Sequence, residues 1–113
     1  MKGNYIMNRK ELFEHHKELC AIALSLMEKK NHDYAGESGE TPFANFSRTE
    51  AMGVCSTEQG FLVRVVDKVS RLSTFVSAGE LKVDNESYED AIVDIINYMV
   101  LLSGYLKDKD GNE

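Results

Sequence analysis

Four of the polar residues in the largely apolar run "ESYEDAIVDIINYMVLL" are spaced for chemistry. Glu86, Asp90, Asp94 and Asn97 follow one another at intervals of four, four and three, which on a helix aligns them along one narrow stripe. A carboxylate buried without a partner is costly, and two in line call for cations, a metal or a function. The segment "RVVDKVSR" offers both answers. Arg64, Lys68 and Arg71 can close an interhelical salt-bridge seam on the stripe. Alternatively Asp67 joins Asp90, Asp94 and Glu86 as ligands of Mg²⁺, a hard cation that takes carboxylate oxygen and keeps several waters. Arg64, Lys68 and Arg71 then become phosphate donors, with Asn97 on the same stripe. The two readings predict opposite responses of the metal-free protein to Asp94→Asn. Relief of repulsion at a metal site holds or raises stability, whereas loss of a seam partner lowers it.

A second set of residues suits a planar ligand. In "KNHDYAG" and "PFANF", Tyr34, Phe43 and Phe46 can stack a base while Asn31, Asp33 or Asn45 hydrogen-bonds its edge. The plainer reading is a loop pinned by its aromatics, with Asn and Asp serving turns. "EHHKELC" sets His15 and His16 near Glu11, Glu18 and Cys20 without the HExxH spacing, which reads as a solvated helix face.

The elements that must position these residues are helices. Asn8 and Glu11 form a capping-box pattern, and Leu12, Leu19, Ile22, Ala23 and Leu26 keep helical spacing up to about Lys30. The 32–55 connection holds the single Pro; its first half reads as loop, and a short helix starts at Thr41–Pro42 and stops at Gly53. A second long helix opens near Ser56 or Thr57 and ends at Gly79. Its apolar arc is Leu62, Val65, Val66, Val69, Leu72 and Val76, opposite Arg64, Asp67, Lys68 and Arg71. A third starts near Asn85 or Ser87 and runs to about Lys107. It is apolar around most of its circumference, so it must be central, or covered by a second subunit. The fold expected is all-α: one domain over residues 1–113, a bundle of three long helices plus one short helix, completed by dimerisation.

Composition narrows the partners. At 113 residues, with 42% apolar and 28% charged residues, the chain supports one core. A net charge of −6 argues against direct nucleic-acid groove binding but leaves mononucleotides open. Cys20 and Cys55 lie 35 positions apart with no CxxC, reading as reduced thiols of a cytoplasmic protein. The N-terminal stretch has no apolar core, so neither a signal peptide nor a membrane span is expected.

The ordered motifs "KNHDYAG", "PFANF", "GFLVRVVDKVSRL", "SAGELKV" and "ESYEDAIVDIINYMVLL" resemble the nucleotide modification associated domain family, first type, over roughly residues 28 to 106. Members are small, all-helical and frequently encoded by phages and prophages. Through that family the chain is similar, more distantly, to the MazG-like all-α nucleoside triphosphate pyrophosphohydrolases. Those enzymes use Mg²⁺, held by acids on two antiparallel helices, to cleave between the α and β phosphates. "DAIVD" supplies Asp90 and Asp94 to that pattern, but Ala91 and Arg64 stand where it carries acids. The resemblance implies a Mg²⁺-dependent protein acting on or binding a (deoxy)nucleotide in phage or prophage nucleotide metabolism, with Asp67, Asp90 and Asp94 catalytic. Two alternatives stay beside it: a non-catalytic nucleotide or modified-base binding module, and a structural helical homodimer. Helix three is too apolar for one small chain to cover, so a homodimer or homotetramer is expected.

Overall fold

The computed structural model describes residues 6–35, 42–79 and 87–111, with the side chains of 32–35 left aside. The described residues form four helices and no strand: α1 (Arg9–Ala35), α2 (Ala44–Ala51), α3 (Thr57–Ala78) and α4 (Tyr88–Gly111). None of them is long and apolar enough to cross a membrane.

The helix starts follow local chemistry. Asn8 and Glu11 exchange hydrogen bonds as the capping pattern requires: Glu11 N–H donates to Asn8 Oδ1 at 2.8 Å, and Asn8 N–H donates to Glu11 Oε1 at 3.2 Å. Ser56 and Gln59 do the same at the start of α3. Gly79 ends α3 at φ +81° and Gly53 follows α2 at φ +77°, left-handed conformations that glycine adopts without a Cβ clash.

Two boundaries differ from the sequence reading. α1 runs on through Asn31, Asp33 and Tyr34 to Ala35 rather than stopping near Lys30. No Gly or Pro intervenes before Gly36, and extending a helix by one residue is cheap once it has been nucleated. α2 begins at Ala44, with Pro42 and Phe43 in the preceding turn.

α4 is central, as its apolar circumference requires. It packs against both α1 and α3, whereas α1 and α3 do not pack on each other. The side-chain contacts fix the direction of the α3–α4 pair. Glu58 meets Lys109, Phe61 meets Tyr105, Lys68 meets Asp94 and Phe75 meets Tyr88. As one number rises the other falls, so the pair is antiparallel. The core lies at one end of this pair, where Phe46, Phe61, Tyr98 and Leu101 are buried together, with Met27, Phe43, Val65, Leu102 and Tyr105 packed around them.

The rotation of α3 is the least expected feature. The face carrying Thr57, Phe61, Lys68 and Phe75 is turned toward α4, and the arc of Leu62, Val66, Val69 and Val76 is turned outward. Those four residues are 46%, 67%, 50% and 80% exposed.

Beyond the core, the same end of the pair is tied by Lys109 Nζ, which donates to Glu58 Oε2 at 3.0 Å. The backbone N–H at Glu58 and then Lys109 hold the Glu58 carboxyl below the usual carboxylate range. Glu58 in turn raises the Lys109 ammonium above its ordinary value. The depressed Glu58 favours folding above its unfolded value, and this is lost as pH falls through the folded one. The raised Lys109 favours folding below its unfolded value, and this is lost as pH climbs through the folded one. Lys109 is exposed and Glu58 only half-buried, so the tie is weak and screened by salt.

Thr57 Oγ1 is the one buried side-chain polar atom among the described residues without a hydrogen-bond partner. Thr57 is fully buried, and an unsatisfied buried hydroxyl costs about 1–3 kcal/mol. Thr57→Val keeps the shape and removes the unpaired group. It should raise stability by about 1 kcal/mol, read as a higher urea midpoint at unchanged m value; a lower midpoint would mean that the hydroxyl is satisfied in solution.

Candidate functional site

The polar stripe of α4 meets two helices that do not otherwise touch. Asp94, in the second turn of α4, receives Lys68 from α3 at 3.0 Å and Lys30 from α1 at 3.8 Å. The Asp94 and Lys68 side chains are 16% and 15% exposed, while Lys30 is well solvated. This places a largely desolvated carboxylate between two ammonium groups, one close and partly buried, the other outer. One turn further along α4, Asn97 Nδ2 donates to the Ala23 carbonyl of α1 at 2.9 Å, which fixes where α1 crosses α4. Met27, Lys30, Asp94, Asn97, Tyr98 and Leu101 line a crevice of about 10 Å³ at this junction, room for about one water.

The remaining acids of the predicted set are engaged elsewhere. Asp90 caps α4: Ser87 N–H donates to its Oδ2 at 2.9 Å, and its own N–H donates to Ser87 Oγ at 3.1 Å. It lines a separate hollow with Ser25, Lys29 and Val93. Asp67 is exposed and paired with Arg71 at 3.3 Å along the same helix, an i,i+4 contact worth a few tenths of a kcal/mol. Glu86 lies outside the described residues. No group of three or more His, Cys, Asp or Glu residues able to hold a metal is gathered among the described residues. Asp67, Asp90 and Asp94 in this arrangement therefore do not fit Mg²⁺. Their carboxylates serve an intrahelical pair, a cap and a two-lysine seam.

Of the predicted phosphate donors, Lys68 reaches the junction, Arg71 is half-buried beside Asp67, and Arg64 is exposed. Of the predicted base contacts, Phe46 is a core residue. Its ring lies 4.3 Å from that of Phe61 at 31° and meets Tyr98 edge-on at 6.2 Å. A ring buried between two others cannot stack a ligand, so the loop-pinning reading holds for Phe46. Phe43 likewise packs edge-on against Phe61 and Tyr105. Asn45 is half-buried in α2. Asp33 and Tyr34 fall in the last turn of α1, and their side chains lie outside the described set. The helix face of His15 and His16 is exposed, with Cys20 Sγ 3.6 Å from His16 Nδ1. Cys20 and Cys55 are both free thiols.

Lys30 is the site residue that the sequence reading missed. It stands at the end of the apolar periodicity in α1. Its signal is relational: Lys30 falls two turns beyond Ala23, on the side of α1 that Asn97 engages.

No protein-family model matches the chain, and no curated protein or solved structure matches it either.

The junction reverses the sign expected from a metal site. Asp94→Asn removes the carboxylate that Lys68, 15% exposed, meets at 3.0 Å. Removing one member of a fully buried pair costs about 3–5 kcal/mol, and this pair keeps some water, so a loss of about 1–3 kcal/mol is expected. Melting in metal-free buffer measures it, with Asp67→Asn, at an exposed pair, as the near-neutral control. An unchanged or raised melting temperature for Asp94→Asn would restore the metal-ligand reading.

Proposed function

We propose that the chain is an all-helical, homo-oligomeric nucleotide-binding protein that holds its ligand by the phosphates without turning it over. The observation that carries this reading is the charge at the helix junction. Two ammonium groups, Lys30 and Lys68, converge there on Asp94 from different helices, and no cluster of acids able to hold a metal is gathered among the described residues. Ammonium groups at a partly desolvated junction suit the phosphates of an anion better than a divalent cation. The resemblance of the ordered motifs to those of nucleotide-associated helical proteins supports a nucleotide, including a deoxynucleotide, as that anion. The ligand approaches from the solvent side of Lys30, because the crevice behind it is about 10 Å³ and admits no phosphate. Asp33 and Tyr34, three and four residues after Lys30 in the same helix, are the nearest candidates in sequence to engage the base.

A second reading, a purely structural helical oligomer, is favoured by the short Lys68–Asp94 contact itself. In that case both lysines are fully used in holding α1 and α3 to α4, and no ligand is involved.

Thermal melting against nucleoside mono-, di- and triphosphates, with and without Mg²⁺, separates the readings. A ligand specific for the native state stabilises it by about 2.7 kcal/mol at one hundred times Kd. The binding reading predicts a rise with triphosphates that does not require Mg²⁺, is reduced by Lys30→Ala, and comes with no release of pyrophosphate. A flat response across the panel leaves the structural oligomer. Pyrophosphate released only with Mg²⁺ would establish a hydrolase and overturn binding without turnover.

A further inference from the structure

We infer that the outward face of α3 is the surface on which a second copy of this chain docks, with Val69 at the centre of a two-fold interface. This rests on the homo-oligomer part of the reading above and is independent of the nucleotide part.

Three properties of the face argue for it. First, it is apolar where a solvated helix face is ordinarily charged. Leu62, Val63, Val66, Val69 and Val76 are between 46% and 80% exposed, and the positions between them are Ser70, Ser73 and Ser77. A continuous exposed apolar strip of this kind marks an interaction surface.

Second, the charges of α3 lie elsewhere. Lys68 turns inward to Asp94 and Arg71 pairs with Asp67 at the edge, so the middle of the strip carries no charged side chain. That selects the partner. Two copies of a chain with net charge −6 meet with least repulsion through an uncharged surface, and a two-fold interface must be complementary to itself. An uncharged Val–Ser strip satisfies both conditions. A basic or acidic partner would find no opposite charge here, and a membrane surface would need a cationic rim that the strip lacks.

Third, its dimensions suit a helix pair. The 22 residues of α3 extend about 33 Å, and small serines between valines let a second helix approach to the usual 8–10 Å. Met52 and Val54, exposed just ahead of α3, continue the apolar surface toward the about 800 Å² per partner of a standard interface.

The test needs no ligand. Mass in solution by light scattering at micromolar concentration should be twice the 12.7 kDa of the chain. Val66→Glu and Val69→Glu, each placing a charge on an exposed position, should each halve that mass and leave the helical circular dichroism unchanged. Because a charged variant can fail for other reasons, Val69→Cys in a Cys20→Ser, Cys55→Ser background gives a second readout. It should form a disulfide-linked dimer on mild oxidation, whereas Lys17→Cys on exposed α1 in the same background should not. A monomeric parent would overturn both this inference and the homo-oligomer reading. A dimeric parent whose mass survives both glutamates, with no Val69→Cys cross-link, would overturn the α3 interface alone and place the contact elsewhere.

Discussion

The carboxylate of Asp94 has to be neutralised, and much of the architecture follows from how this is done. It sits in the second turn of the central helix with 16% of its side chain exposed, too little for water alone to solvate the charge. Lys68 answers it from α3 and Lys30 from α1, two helices that do not pack on each other. One anion therefore holds three helices in register, and Asn97 on Ala23 adds a neutral hydrogen bond to the same crossing.

Supplying Lys68 to that junction has a consequence for the rest of α3. On a helix, turning one arc inward turns the opposite arc out. With Thr57, Phe61, Lys68 and Phe75 toward α4, the valines at 66, 69 and 76 face away. Much of the apolar surface that periodicity would assign to a core is thus left on the outside, while the aromatic residues Phe46, Phe61 and Tyr98 carry the interior. The polar junction inside and the apolar strip outside are two results of the same rotation.

The helices were legible because their signals are local. Asn8 with Glu11, the start near Ser56, and the glycines at 53 and 79 act within a few residues of themselves, and the structure uses all of them. The end of α1 was misjudged because "NHDYA" lacks a breaker and its polarity alone suggested a loop. The candidate site was legible only in part. The stripe of Asp90, Asp94 and Asn97 does lie on one helix, but spacing cannot tell a side chain that faces a neighbour from one that caps its own helix end. Asp90 does the second, through Ser87 three residues earlier. Phe46 looked like a stacking residue because composition does not distinguish a loop aromatic from a core one. The rotation of α3 was not legible because its two arcs compete: the apolar arc favours burial by area, and the cationic arc is drawn inward by a buried anion on another helix. Periodicity counts the first and is blind to the second.

The central claim is that Asp94 and Lys68 act on each other. A double-mutant cycle of Asp94→Asn and Lys68→Met, read by urea unfolding in metal-free buffer, measures that interaction with the other contacts of each residue subtracted. A mutual anchor predicts that the two single losses do not add. The double variant should recover at least about 1 kcal/mol relative to their sum, within the usual range for contacting pairs. Losses that add to within about 0.3–0.5 kcal/mol, as for independent sites, would contradict the account. Asp94 would then be held by something other than Lys68, and the rotation assigned to α3 would lose its cause.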